Sequence, residues 1–210
     1  MKGFSVLLPA VLLVSWSTVE ARAAQSSPDP TSPAPSRPAP VAPIPAEAAF
    51  QFALAKTLAV EGSLPEALTA FEEAERLAPD SVYVRLEHGQ LLARLAQYSR
   101  APGVREEYLK KAAGTLGRAR ELAPDNLDVL RAVGEVYLDL SAQDPSALAT
   151  AQEALETVRQ RDPEDPQASL TLGQIYLDQR QPEKAAEVLR DLVARLPQQR
   201  MAYALLVEAL

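Results

Sequence analysis

The chain is 210 residues long, with no cysteine, a single histidine and a net charge of −7 from 21 basic and 28 acidic residues. That balance argues against a nucleic-acid binder, because neutralising phosphate takes clustered cations. The missing cysteines exclude disulfides and thiolate chemistry, and one histidine leaves no conventional zinc ligand set. An alanine- and leucine-rich chain with few aromatics fits one elongated helical domain with non-globular flanks.

Residues 1–23 read as a secretory signal. Lys2 is the basic start, Phe4 to Trp16 the apolar stretch and Ala21-Arg22-Ala23 a small-x-small processing site. The apolar run is shorter than a membrane span, contains Pro9 and is followed by Glu20, so a retained N-terminal membrane anchor is the alternative. With the signal removed, no direct membrane insertion is expected. An exported chain without cysteine fits a bacterial periplasm or cell envelope. Residues 24–45 are proline-rich and build neither a core nor a regular helix; they read as a stiff, disordered linker.

From residue 46 the segment is acidic, with 18 Lys/Arg against 26 Asp/Glu, which an extended soluble surface accounts for. Four prolines, Pro79, Pro124, Pro163 and Pro197, close similar phrases, such as Ala-Glu-Arg-Leu-Ala-Pro-Asp at 74–80 and Ala-Arg-Glu-Leu-Ala-Pro-Asp at 119–125. Reading back from each proline gives Ala67, Phe71 and Ala74; Ala112, Leu116 and Ala119; Ala151, Leu155 and Val158; and Ala185, Leu189 and Leu192. Each set is one face of a helix that the proline terminates. Upstream of each lies another helical pattern built on Leu54-Ala55 and Leu58, His88-Gly89 and Leu92, Val133-Gly134 and Tyr137, and Leu172-Gly173 and Tyr176. The prolines stand 45, 39 and 34 residues apart. The surplus over 34, 11 residues and then 5, falls between Gly89 and Ala112 and between Gly134 and Ala151, at the turn inside a hairpin.

These residues resemble the tetratricopeptide repeat, with its leucine, small residue, aromatic, alanine and closing proline over 34 residues. The match covers units 48–81, 82–126, 127–165 and 166–199, with Ala55 in place of glycine in the first and His88 in place of leucine in the second. The resemblance implies an all-α fold, a right-handed superhelical solenoid of antiparallel helix hairpins. The partial unit 200–210, with Tyr203, Leu206 and Leu210 in pattern, begins an unfinished fifth repeat. Leu205, Leu206, Val207 and Leu210 exceed what a fourth unit can cover, which points to a fragment of a longer repeat protein or to self-association through the C-terminal helix.

Within hairpins, Gly62 is expected to end a helix in the left-handed conformation, and Ser63 with Glu66 to form a capping box. Asp80, Ser81, Asp125, Asn126 and Asp165 are the caps available after the closing prolines. The second hairpin is expected to be lengthened in both helices around a turn at Ser99 to Gly103. Arg94, Arg100, Arg105, Lys110 and Lys111 make it locally basic, a place where an acidic partner docks if one does. The third surplus, around Ser141 to Ser146, reads as a looser turn with Asp144-Pro145 starting the next helix.

The family resemblance implies a concave groove along the first helices that holds a protein or peptide partner. Carried over, its positions are Phe52 and Lys56 in the first unit, Tyr83, Leu86, Gln90 and Arg94 in the second, Arg131, Glu135 and Asp139 in the third, and Leu170, Gln174 and Asp178 in the fourth. Lys56, Arg94 and Arg131 would receive an anionic or C-terminal ligand. The carboxylate clamp of chaperone-binding members is absent, since its positions hold Phe52, Lys56, Glu87, Asp128 and Ala132. No catalytic site, cofactor or metal is expected: the only histidine, His88, falls where the repeat buries an apolar residue, and no phosphate-cradling glycine loop or calcium-loop spacing occurs. The resulting expectation is a non-catalytic protein-interaction scaffold of the cell envelope, or else the adaptor region of a larger repeat-containing enzyme or secretion machine.

Overall fold

The computed structural model describes residues 44–210, so the signal segment and all of the linker but Ile44 and Pro45 lie outside the described residues. Nine helices and no strand occur among them: α1 (Ala46–Glu61), α2 (Leu64–Leu77), α3 (Val82–Tyr98), α4 (Pro102–Leu122), α5 (Leu127–Ser141), α6 (Ala147–Arg161), α7 (Pro166–Asp178), α8 (Pro182–Arg195) and α9 (Arg200–Glu208). They pack as the hairpins α1–α2, α3–α4, α5–α6 and α7–α8. Each hairpin stacks on the next through α2–α3, α4–α5 and α6–α7, while α9 lies against α7 and α8. The fold is an all-α solenoid of helix hairpins.

The twelve landmark residues of the second helices, from Ala67 to Leu192, are each at most 2% exposed. Across each hairpin the small residue of the first helix lets the second approach. A Cβ added at Gly89 would stand 2.5 Å from Leu116 Cγ, one at Gly134 2.6 Å from Leu155 Cγ, and one at Gly173 2.8 Å from Leu189 Cδ2. In the first hairpin the partner position holds Phe71 rather than leucine, and Ala55 is fully buried in the same cluster as that ring.

The prolines do not sit at the helix ends; they sit two residues past them, after Leu77, Leu122, Arg161 and Arg195. The intervening residue, Ala78, Ala123, Asp162 or Leu196, has φ between −122° and −141° and ψ between 68° and 78°, outside the helical well that a following proline disfavours. Its carbonyl accepts from the amide three residues on at 3.0–3.1 Å in all four joints. One turn geometry is therefore repeated between units. Three of the expected caps then start the next helix: Ser81 Oγ accepts from Val84 N at 3.4 Å, Asn126 Oδ1 from Asp128 N and Val129 N at 3.0 and 3.1 Å, and Asp165 Oδ1 from Ala168 N at 2.9 Å. Asp80 and Asp125 lie one residue too early.

Several local expectations are corrected. Gly62 does end α1 with φ 85°, but Ser63 accepts no capping bond, because its backbone (φ −78°, ψ 66°) is not extended and does not aim the hydroxyl at the first-turn amides. The turn of the fourth hairpin puts Arg180 at φ 58°, seven residues after Gly173 just as Gly62 follows Ala55, at a cost of about 1–2 kcal/mol for a side chain in that region. In the lengthened hairpin α3 has 17 residues and α4 has 21, so the extension lies chiefly in the second helix. In the third, Asp144 Oδ1 accepts from Ser146 N at 3.0 Å and Ser146 Oγ at 2.6 Å, and α6 begins only at Ala147. On α9 the covered face is Ala202, Leu205, Leu206 and Ala209, leaving Tyr203 and Leu210 45% and 79% exposed, since only α7 and α8 lie beneath it.

Candidate functional site

The positions expected to line a groove stand on the first helices of the hairpins, and the structure brings most of them together between α1, α3 and α5. On α3, Tyr83, Glu87, Gln90 and Arg94 recur every three or four residues and so share one face. Two adjoining clefts run between this face and α5. One, of about 360 Å³, is lined by Tyr83, Leu86, Glu87, Gln90, Asp128, Arg131, Ala132 and Glu135. The other, of about 340 Å³, is lined by Glu87, Gln90, Ala93, Arg94, Gln97, Ala132, Glu135 and Val136.

At the α1 end, Phe52 meets Tyr83 with ring centroids 5.1 Å apart and Phe71 edge-on at 5.9 Å. Lys56 Nζ lies 5.7 and 5.8 Å from the Phe52 and Tyr83 rings and donates to Glu87 Oε1 at 2.9 Å. The hydrogen bond to Glu87 raises the lysine pKa, keeping the cation in place over the aromatic pair. Phe52, Tyr83 and Lys56, groove positions of two successive units, form a single apolar-cationic platform.

Arg131 differs from the sequence expectation. It donates to Asp128 at 2.9 Å and to Asp162 at 2.9 Å, and it also pairs with Asp165, which is buried and caps α7. Hydrogen bonding to Asp165 raises its pKa above the usual arginine value. Its fork is committed to fixing α5 against the joint before α7, so it is a structural cation rather than a receiver for an anionic ligand. Lys56 is likewise engaged by Glu87. Of the three expected cations, only Arg94 is exposed without an ion pair among the described residues. Glu135, in the same cleft, has its carboxyl pKa raised, first by dehydration and then by Asp139 and Asp165. Among the described residues the site thus offers one unpaired cation, one unpaired carboxyl group, Gln90 and an aromatic platform.

Gln174 and Asp178 are exposed on α7 and bond each other at 2.9 Å, and neither lines these clefts. Asp139 is 3.9 Å from Arg105 of the lengthened hairpin, a loose ion pair. Glu87 and Asp128, read above only as departures from another clamp, line the site. Glu87 could have been found from its spacing, four residues after Tyr83 and three before Gln90. Asp162 and Asp165 could not, because they reach Arg131 from the far end of its unit, 31 and 34 residues away. Among the described residues no group of three or more His, Asp or Glu side chains is placed to hold a metal ion, and no helix is long and apolar enough to cross a membrane.

Tetratricopeptide-repeat family models match residues 39–82 and 142–209, together just over half of the chain. No curated protein matches significantly. Among solved structures, a MamA protein superposes with a TM-score of 0.66 at 15% identity, covering 78% of this chain and 80% of that one. MamA 41-end from Desulfovibrio magneticus RS-1 gives 0.65 at 21%, covering 80% and 85%. YrrB, described as a tetratricopeptide-repeat protein with an unusual peptide-binding site, gives 0.61 at 22%, covering 78% and 75%. At such identities these neighbours speak for the fold. With the repeated joint, the small-residue contacts and the two family matches, they establish that this chain belongs to the tetratricopeptide-repeat family.

Proposed function

We propose that the protein is a non-catalytic scaffold that holds a segment of a partner protein along the α1–α3–α5 face. One observation carries the reading: two contiguous clefts on the first helices are flanked by the Phe52–Tyr83–Lys56 platform and contain Arg94 and Glu135, which have no ion pair among the described residues. An aromatic platform supplies apolar contact, and exposed polar groups of both signs set the register of a bound chain. The description of YrrB as peptide-binding agrees with such a use of the fold. The ligand expected is a mixed polar-aromatic segment rather than a simple anion, since Lys56 and Arg131 are already neutralised within the protein. We place the protein on the exported side of a bacterial envelope on the strength of residues 1–23, and recovery of the full chain in the cytoplasmic fraction would remove that part. Exposed Val207 and Leu210 on and beside α9 are where self-association would occur.

Panning a random peptide library on the immobilised full chain tests the site. Enriched peptides should lose at least about tenfold in affinity, some 1.4 kcal/mol, in a Gln90→Ala/Arg94→Glu variant, both positions being exposed and outside the packed core. Enrichment of no peptide, or equal binding to the variant, would sink the proposal.

A further inference from the structure

The opposite face of α3 carries another arrangement. Arg85, His88 and Leu92, at helical spacing, look into a cleft of about 630 Å³ closed by α2 and α4, whose walls include Glu72, Glu75, Arg76, Pro79, Lys110 and Lys111. His88, the chain's only histidine, is 5% exposed and stacks on Phe71 with centroids 5.7 Å apart and planes 3° from parallel. Its Nδ1 lies 2.8 Å from Glu75 Oε2, and Glu75 also pairs with Arg85, whose Nε donates to Pro79 O at 2.9 Å. Hydrogen bonding to His88, with Arg85 nearby, lowers the Glu75 pKa, so it is a carboxylate. A carboxylate only accepts, so Nδ1 carries the proton in neutral His88 and Nε2 carries a lone pair. That Nε2 is buried and has no hydrogen-bond partner among the described residues. A repeat position that usually holds leucine here holds a polar ring with one nitrogen unused.

The charges around it are lopsided in an otherwise acidic protein. Glu72, Glu75 and Arg76 face the cleft from α2, Arg85 from α3, and Lys110 and Lys111 from α4, giving four cations against two anions. Glu75 is consumed by His88 and Arg85. Arg76, Lys110 and Lys111 pair with Glu73, Glu106 and Glu107 of their own helices, with lysine side chains 64% and 53% exposed. Such exposed pairs are worth little, so the cations exchange partners readily. The walls come from α4, the C-terminal half of α2, Pro79 of the joint and α3 from Arg85 onward, while residues 81–84, whose amides open α3, are not among the lining side chains. Spread monovalent carboxylates suit this setting better than a concentrated dianion.

We propose that this cleft binds an acidic segment of a protein partner, held by Arg76, Lys110 and Lys111, and that His88 takes up a solvent proton at Nε2 as the segment docks. A carboxylate in the cleft is repelled by the Nε2 lone pair and attracted by the imidazolium, and direct contact with Nε2, buried in the free chain, takes a shift of the side chains that cover it. Glu75 stabilises that imidazolium from the other side, while Glu72 in the cleft and Glu73, Glu106 and Glu107 beside its cations are the local charges that the ligand must compete with. The site is separate from the α1–α3–α5 face and does not depend on it.

The single histidine makes the test direct. Imidazole NMR resonances of the untagged full chain report His88 alone, and the probe is acetyl-hexaglutamate amide. The His88 titration midpoint should rise by at least about 0.5 pH unit, roughly a threefold preference for the charged form, when the peptide is added. The rise should vanish in Lys110→Glu/Lys111→Glu, whose exposed positions leave folding intact, and persist in Arg94→Glu, which separates this site from the other face. An unmoved midpoint, or a rise that survives the double charge reversal, overturns the proposal. An equal rise with inorganic phosphate at the same concentration also overturns it, by making the cleft a small-anion site only.

Discussion

Arg131 and Glu135 stand one helical turn apart on α5, both in reach of the same cleft, and their environments separate them. Arg131 is surrounded by Asp128, Asp162 and Asp165 and is removed from ligand chemistry. Among the described residues Glu135 pairs with no cation, and its pKa is raised, with loss of hydration the leading cause and Asp139 and Asp165 adding to it. For an acid with a raised folded-state pKa, the native protein holds its proton over a range where the unfolded chain has released it, so stability falls as pH rises through that range. Glu135→Gln should therefore be more stable than the wild type at pH 7, and the difference should fade as pH drops below the ordinary carboxylate value. Because the side chain is largely exposed, the gain is at most about 1 kcal/mol, equivalent to roughly 2–4 °C in Tm for a chain of this size. Thermal melts of both proteins at several pH values between 4 and 8 decide it; a difference that is constant with pH, or larger at low pH, would be fatal. The sequence showed that both residues share a helix face. It did not show the partners Asp162 and Asp165, which lie in the joint 31 and 34 residues downstream of Arg131 and become neighbours only through packing.

At the scale of elements the repeat was legible because its constraints are local and steric. Proline two residues past a helix, a small residue opposite Leu116, Leu155 or Leu189, and an Asp, Asn or Ser opening the next helix each leave a residue-type trace at a fixed spacing. What left no trace was the sharing of the extra residues in the second hairpin and the backbone of Ser63 and Arg180, since turns of equal length admit several conformations. The tight approaches give a paired prediction. Gly134→Ala puts a Cβ 2.6 Å from Leu155 Cγ, and overpacking of about 1–3 kcal/mol should outweigh the helix-propensity gain of about 1 kcal/mol. Gly114→Ala, inside α4 with nothing within 4 Å of the new Cβ, keeps only the gain. Urea denaturation should move the midpoint down for the first and up for the second; movement in the same direction for both would show that hairpin contact does not govern these positions.

Over the whole stack, most of the buried apolar side chains fall into two clusters. One runs from Leu86 on α3 to Ala209 past α9, while the other comprises Ala55, Ala67, Ala70, Phe71 and Leu91 of the first hairpin and its contact with α3. Between α2 and α3, polar and aromatic contacts, Glu75 with Arg85 and His88 and Phe71 against His88, stand beside the apolar packing of Phe71 and Leu91. Stacked repeats gain stability from each unit and from each interface between neighbours, so a unit with a small core and one interface opens ahead of units held on both sides. The first hairpin also leaves Phe50 60%, Val60 89% and Leu54 38% exposed. Amides of α1 and α2 should therefore exchange with solvent at least about tenfold faster than those of α5 to α7, some 1.4 kcal/mol in opening free energy. Phe71→Leu, which removes the ring stacked on His88, should widen the gap by accelerating α1 and α2 while leaving α5 to α7 unchanged. Native-state hydrogen exchange with peptide-level resolution reads both effects. Uniform protection across all hairpins, or a Phe71→Leu effect that spreads equally to α7, would mean that this mixed joint couples the first unit as tightly as the apolar joints couple the others.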